Sequence, residues 1–287
     1  MSDRLQLTWK SGSLSLHRCR VMGILNLTPD SFYDGGKYTA VDAAMDRAWE
    51  MVDEGADIID IGAESTRPGS PGISIEEEKN RLFPVLQRLA EEKFPLPVSL
   101  DTSKPEVLSE ACSKQWVQIA NDITGLRNPA MVFAIVSNQI PVILMHMFGT
   151  PQTMQQDFHY EDVVKDLIDF FRKRLGECRL KTNVVLDPGL CFGKSVQHNL
   201  EILKRLKEFE TLGFPILIGA SRKSFIGEVL KTQSDERLEG SLAAAAVAVF
   251  NGAKILRVHD VKETIRTVKL VESIMKQKSE SPPLDSN

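Results

Sequence analysis

The chain has 287 residues, 42% of them hydrophobic and 26% charged, and 35 Lys and Arg stand against 39 Asp and Glu for a net charge of −4. These values exclude disordered, collagenous and fibrous chains. A balance of that sign leaves no footprint for nucleic acid and no polybasic run for an anionic membrane, so neither is expected as a partner.

The first 18 residues alternate weakly, with Leu5, Leu7 and Trp9, then Leu14 and Leu16, around Ser11-Gly12-Ser13, which predicts a β-hairpin. The opening MSDRLQLTWK has no apolar core of a secretion signal. Cys19, Cys112, Cys178 and Cys191 show neither C-x-x-C nor zinc-ligand spacing and read as free thiols of a reducing, cytoplasmic compartment. Eight short apolar runs follow, at residues 21–25, 58–61, 98–100, 117–120, 141–145, 184–186, 215–218 and 255–258. Longer amphipathic stretches alternate with them, predicting helices at 41–54, 74–92, 105–114, 130–137, 161–177, 196–209, 239–251 and 261–276. Residues 128–156 carry no Lys, Arg, Asp or Glu, but Pro129, Asn138, Gln139, Pro141 and Pro151 rule out a membrane span there.

Apolar runs without polar alternation suit strands buried on both faces of a parallel sheet. Eight strand–helix units without a linker-like break predict an α/β fold, one (β/α)8 TIM barrel over residues 1–276 that includes the hairpin, and a disordered tail at 277–287. A doubly wound open sheet is the rival, but no G-x-G-x-x-G follows the first strand.

In such a barrel the functional groups gather at the C-terminal ends of the strands. Those ends read Asn26; Gly62 with Glu64-Ser65-Thr66-Arg67; Asp101; Asn121-Asp122; His146; Asp187; Ser221-Arg222-Lys223; and Arg257 with His259. One polar residue at a strand end is an ordinary turn former; a polar group at all eight argues for a site. The loops at 28–38 and 65–73 are long and rich in Gly and Pro, which suits lids.

Residues 21–32 (VMGILNLTPDSF) and 55–69 (GADIIDIGAESTRPG) resemble the two signatures of the dihydropteroate synthase family. Asp101-Thr102-Ser103-Lys104-Pro105, Asn121-Asp122-Ile123, Met145-His146-Met147, Asp187-Pro188-Gly189, Ser221-Arg222-Lys223-Ser224 and Arg257-Val258-His259-Asp260 continue the match in family order. The resemblance implies a cytoplasmic, homodimeric (β/α)8 enzyme with Mg²⁺ as cofactor. Its reaction joins a dihydropterin-methyl diphosphate to 4-aminobenzoate, releasing diphosphate, through a pterin-methyl cation. It implies catalytic roles for Asp101, Asp34 and Lys223, and a pterin pocket of Asp101, Asn121, Asp187, Lys223 and Arg257. Asn26, Thr66, Arg67, Arg257 and His259 would hold the diphosphate, with Asn26 on the metal; Phe32, Pro68, Phe192 and Ser221 would enclose the aminobenzoate. Ser221-Arg222-Lys223, after a strand and opening a helix, would offer free N–H groups to an anion.

Leu190 and Cys191 stand where many relatives have Phe and Gly, and Tyr33 where Ser is common. His146, a lone histidine at a buried strand end, is read as a structural hydrogen-bonding group. The Ala-rich stretch 243–248 is read as close helix packing, and the helix at 240–252 as the dimer contact. A corrinoid-dependent methyltransferase on the same barrel would leave the cationic strand ends without a purpose, and a non-catalytic paralogue would be expected to have degraded loops.

Overall fold

The computed structural model describes residues 5–28, 37–65, 69–70, 72–156, 158–180 and 183–277. The predicted tail from 278 onward lies outside them, as do Phe32, Tyr33, Asp34, Thr66, Arg67 and Pro68. Strands β1 (Gln6–Trp9) and β2 (Gly12–Ser15) form the predicted antiparallel hairpin. There follow β3 (Arg20–Asn26), α1 (Lys37–Glu54), β4 (Ile58–Gly62), α2 (Ile75–Glu91), β5 (Val98–Asp101), α3 (Pro105–Ser113), β6 (Ile119–Asp122), α4 (Pro129–Asn138), β7 (Val142–Met145), α5 (Val163–Glu177), β8 (Val184–Asp187), α6 (Val196–Lys204), β9 (Leu217–Ile218), α7 (Ser224–Leu230), α8 (Leu238–Phe250), β10 (Ile255–Val258) and α9 (Val261–Lys276). Strands β3 to β10 form one parallel sheet in the order β8-β7-β6-β5-β4-β3-β10-β9. A parallel bridge from Leu186 to Ile216, with Leu186 N–H donating to Pro215 O at 2.9 Å, joins its edges into the barrel.

Side chains alternate along each strand and so divide into two sets. One set packs outward against the helices. The other points into the barrel, where Met22, Ile58, Ile119, Ile143, Val185, Leu217 and Ile255 form a buried layer at the N-terminal end. Leu7 and Leu16 of the hairpin join this layer and close the barrel floor. Asn183, ahead of β8, fastens the hairpin by accepting the Thr8 N–H at 2.9 Å and donating to Thr8 O at 2.8 Å.

The predicted helix at 196–209 divides. α6 stops at Lys204, and a 3₁₀ helix, Leu206–Leu212, continues. Its buried residues Leu206, Phe209 and Leu212 are three apart, which stacks all three on one face of a helix with three residues per turn. α7 adds a short helix between β9 and α8.

Candidate active site

Two residues beyond the floor layer, on the same faces of the strands, stand Ile24, Asp60, Asn121, Met145, Asp187, Gly219 and Arg257, with Ser99 and then Asp101 from β5. An apolar floor thus gives way within one repeat to a ring of carboxylates, an amide and a guanidinium. This alternation is the reason the polar groups converge.

Arg257 organises the ring. Its Nε donates to Asp60 Oδ2 at 2.6 Å and its guanidinium donates to Asp101 Oδ2 at 2.8 Å. Asn121 Nδ2 donates to the same Asp60 oxygen at 3.1 Å. Gly62 allows Asp101 its place, since a Cβ there would stand 3.2 Å from Asp101 Cβ. Asp60 is fully buried and its Oδ1 has no hydrogen-bond partner. Burial drives the Asp101 carboxyl up from 3.8 to about 7, against the opposing pull of Arg257. Burial also raises Asp187, against Lys223, while Asp187 Oδ1 accepts the Gly189 N–H at 2.8 Å. Burial works against the charge of Arg257, but Asp60 and Asp101 outweigh it and raise its pKa.

Lys223, at the entry to α7, points across the mouth. Its ammonium donates to Leu190 O and lies 4.8 Å from the centre of the Phe192 ring. Burial lowers its pKa. Ser221 and His259 meet: the Ser221 hydroxyl is 3.1 Å from His259 Nδ1 and accepts the His259 backbone N–H at 3.2 Å. Arg222 holds their two loops together through a paired ion bridge to Asp260, at 2.7 and 2.9 Å. Asn26 ends β3 with its side chain exposed at the rim.

Two expectations change. The N–H groups at the Ser221–Lys223 turn are not all free for an anion: Arg222 N–H donates to Ser241 Oγ at 2.8 Å and Lys223 N–H to Ala220 O at 3.2 Å. Two of the donors that an open helix start would offer are thus taken up by α8 and by the Ala220 carbonyl. Holding a diphosphate, as the resemblance implies for His259, would suit a cationic ring. Its pKa is instead lowered from 6.5, by desolvation first and then by Arg257, with Arg222 and Lys223 adding to it, so the free protein holds it neutral at pH 7.

The structure brings Asp101, Asn121, Asp187, Lys223 and Arg257 together in the barrel mouth, with Phe192, Ser221, His259 and Asn26 around the rim. Sequence reading missed Asp60, which it took for part of an apolar run. Its signal was available: Asp60 stands two residues after Ile58, as Asn121 stands after Ile119 and Asp187 after Val185. It also missed the Lys194–His146 contact behind the β8–α6 loop, where Lys194 Nζ is 3.0 Å from His146 Nδ1.

The profile of the pterin binding enzyme family matches residues 22–259. A dihydropteroate synthase of Escherichia coli (strain K12) is 44% identical, over 96% of this chain and 98% of that protein. The chain belongs to the dihydropteroate synthase family. Its members are transferases of folate biosynthesis. Among solved structures, the Yersinia pestis dihydropteroate synthase with a sulfonamide drug complex superposes with a TM-score of 0.89 at 41% identity, covering 95% of this chain and 100% of that one. The Xanthomonas albilineans enzyme with 4-aminobenzoic acid also reaches 0.89, at 39% identity and with coverages of 96% and 100%. Residues 66–68 and 29–36 of the two long loops are outside the described residues; of the second loop, Ser70 Oγ lies 2.9 Å from Ser65 Oγ and Gly69 N–H donates to Pro151 O at 3.3 Å. Among the described residues no helix is long and apolar enough to cross a membrane.

Proposed function

We propose that the chain condenses a (7,8-dihydropterin-6-yl)methyl diphosphate with 4-aminobenzoate, and that the mouth residues divide the work as follows. The observation that carries this reading is the ring of Asp60, Asp101, Asn121, Asp187 and Arg257 above the apolar floor, with Lys223 beside it. A flat, nitrogen-rich bicycle needs carboxylate and amide acceptors for its N–H groups and ammonium or amide donors for its ring nitrogens and oxygen. Asp187, Asn121, Asp101 and Lys223 supply both kinds. Arg257 offers a planar cation at the ring edge, which an ammonium could not imitate.

The C–O bond to the diphosphate breaks with both electrons going to the leaving group. The methylene carbon is left as a cation delocalised into the pterin. Asp101 in its ionised form faces this charge and stabilises it. The aminobenzoate nitrogen then donates its lone pair to the methylene carbon, a C–N bond forms, and the amine gives up one proton. Ser221 would take the aminobenzoate carboxylate, and Phe192 one face of its ring. Arg257 supplies fixed positive charge for the diphosphate. His259 would become a cation only when the bound diphosphate raises its pKa again.

Mg²⁺ fits this site in a particular way. No group of three or more His, Cys, Asp or Glu that could hold a metal ion occurs among the described residues. Asn26 offers one hard, neutral oxygen at the rim, which suits an ion held mainly by diphosphate oxygens and water. Bound there, Mg²⁺ would neutralise the charge that builds on the leaving group.

The chain is read as a homodimer through α7 and α8. Phe225, Val229, Leu230, Ala243 and Val247 line an apolar groove of about 470 Å³, with Val247 45% and Val229 51% exposed. Leu270 and Ile274 on α9, which packs beside α8, are exposed too, and a second copy of this chain would cover the groove.

The deciding experiment is diphosphate release with each substrate alone and with both. Release that needs both, with dihydropteroate formed in equal amount, supports the reading; no release with both present overturns it and favours the methyltransferase or non-catalytic alternatives.

A further inference from the structure

Phe192 sits in a loop, residues 188–195, in which four backbone groups of Leu190, Cys191 and Phe192 are each fastened. Leu190 O accepts from Lys223 at the mouth, Cys191 N–H donates to Asn199 Oδ1 at 2.8 Å, and Cys191 O accepts from Gln155 Nε2 at 2.8 Å. Phe192 O accepts from Lys194 Nζ at 3.1 Å. Lys194 does not face the mouth. It is 4% exposed and turns back behind the loop, where its Nζ meets His146 Nδ1 at 3.0 Å and lies 5.9 Å from the centre of the Tyr160 ring. His146 is held in turn by edge-on contact with Phe170, ring centres 4.7 Å apart. Tyr160 secures the next residue, donating from its hydroxyl to Gly193 O at 3.0 Å.

A buried lysine is costly, and an apolar side chain would fill the same space with less desolvation. What an apolar side chain cannot do is hold the Phe192 carbonyl at a set distance from the end of β7. Lys223 cannot be the lasting anchor, because it lies in the mouth and would release Leu190 O to engage substrate. We propose that Lys194, braced by His146, is a positioning residue for Phe192 and thereby sets the ring-binding face of the aminobenzoate subsite. The inference rests on the reading of Phe192 as that face.

The brace works in both protonation states. Burial pulls Lys194 down to about 7, with Asp187 opposing and Lys223 adding to the fall. His146 is lowered well below its ordinary value by burial and by Lys194, so the ring is neutral, and facing an ammonium that can only donate, its Nδ1 takes the acceptor role. A neutral amine still has two N–H donors, enough for His146 Nδ1 and Phe192 O.

The test is steady-state kinetics with each substrate varied in turn. Lys194→Met keeps the length of the side chain and removes its donors. It should raise KM for 4-aminobenzoate about tenfold, while KM for the pterin diphosphate stays within about twofold. A merely structural role would lower the amount of active enzyme and leave both KM values alone. His146→Phe keeps the contact with Phe170 and removes the acceptor; it should move the same KM in the same direction, and carries the test if Lys194→Met does not fold. Phe192→Ala is the control. If it raises the aminobenzoate KM and neither Lys194→Met nor His146→Phe does, the inference is overturned alone. If it leaves that KM unchanged, the placement of Phe192 falls and the inference with it.

Discussion

Asp101→Asn should make the protein more stable and the enzyme far slower, and the two effects share one cause. The carboxyl is 13% exposed, lies 2.8 Å from the Arg257 guanidinium, and is held at about 7 instead of 3.8. Between those values the folded state keeps a proton that the unfolded chain has lost, so stability falls as pH rises from about 4 to about 7 and stays low above it. A displacement of that size corresponds to about 4 kcal/mol against the folded state at pH 8. The substitution removes the charge and keeps an oxygen for Arg257, which also retains Asp60, so no guanidinium is stranded. We expect Asp101→Asn to gain about 2–4 kcal/mol at pH 8 and almost nothing at pH 4, which moves the urea midpoint up by about 1 M at the higher pH. Turnover should fall by about 10²–10³, the usual cost of losing one electrostatic group aimed at a developing charge. Urea unfolding at both pH values, followed by fluorescence, and diphosphate release report the two halves. An Asn variant less stable than the parent at pH 8 would show that the carboxylate is a net stabilising partner of Arg257, and would refute the reasoning.

Three further outcomes are expected. Removing divalent metal with EDTA should abolish turnover and restoring Mg²⁺ should recover it, with Asn26→Ala needing several-fold more Mg²⁺ for half-maximal rate; full activity in metal-free buffer counts against the metal. Light scattering at micromolar protein should give a dimer, and Val247→Asp, which puts an unpaired charge into the apolar groove, should give a monomer. Gly189→Ala places a Cβ 2.0 Å from His146 O at a residue whose φ is +68°, so thermal unfolding should show a loss of roughly 3 kcal/mol or more.

Much of the architecture is legible in the sequence. Eight apolar runs at the right spacing are strands because only a doubly covered parallel sheet buries both faces of such runs. The polar residues closing those runs are displayed at one rim because all eight strands point the same way. Asn121 and Asp187 needed nothing more, and the strand ends at Asp101, Lys223 and Arg257 were legible for the same reason. The break after Lys204 was not legible, because Leu206, Phe209 and Leu212 continue an apolar pattern that a helix of either kind could carry until packing selects one.

Pairing and protonation were decided by the tertiary structure alone. Arg257 and Asp60 are 197 residues apart and meet only because β10 pairs with β3, on whose other side β4 lies. The neutral state of His259, the shifted Asp101 and the amides spent within the Ser221–Lys223 turn follow from neighbours that no local pattern announces. Nothing local in the sequence marks Lys194 for burial; it is buried because the β8–α6 loop folds it against His146, from the end of a different strand. A strand's own residues determine which side chains face the axis, since that depends on the backbone alone. Which charge faces which, and how much water remains between them, depends on how the strands close into a ring, and that is a property of the whole chain.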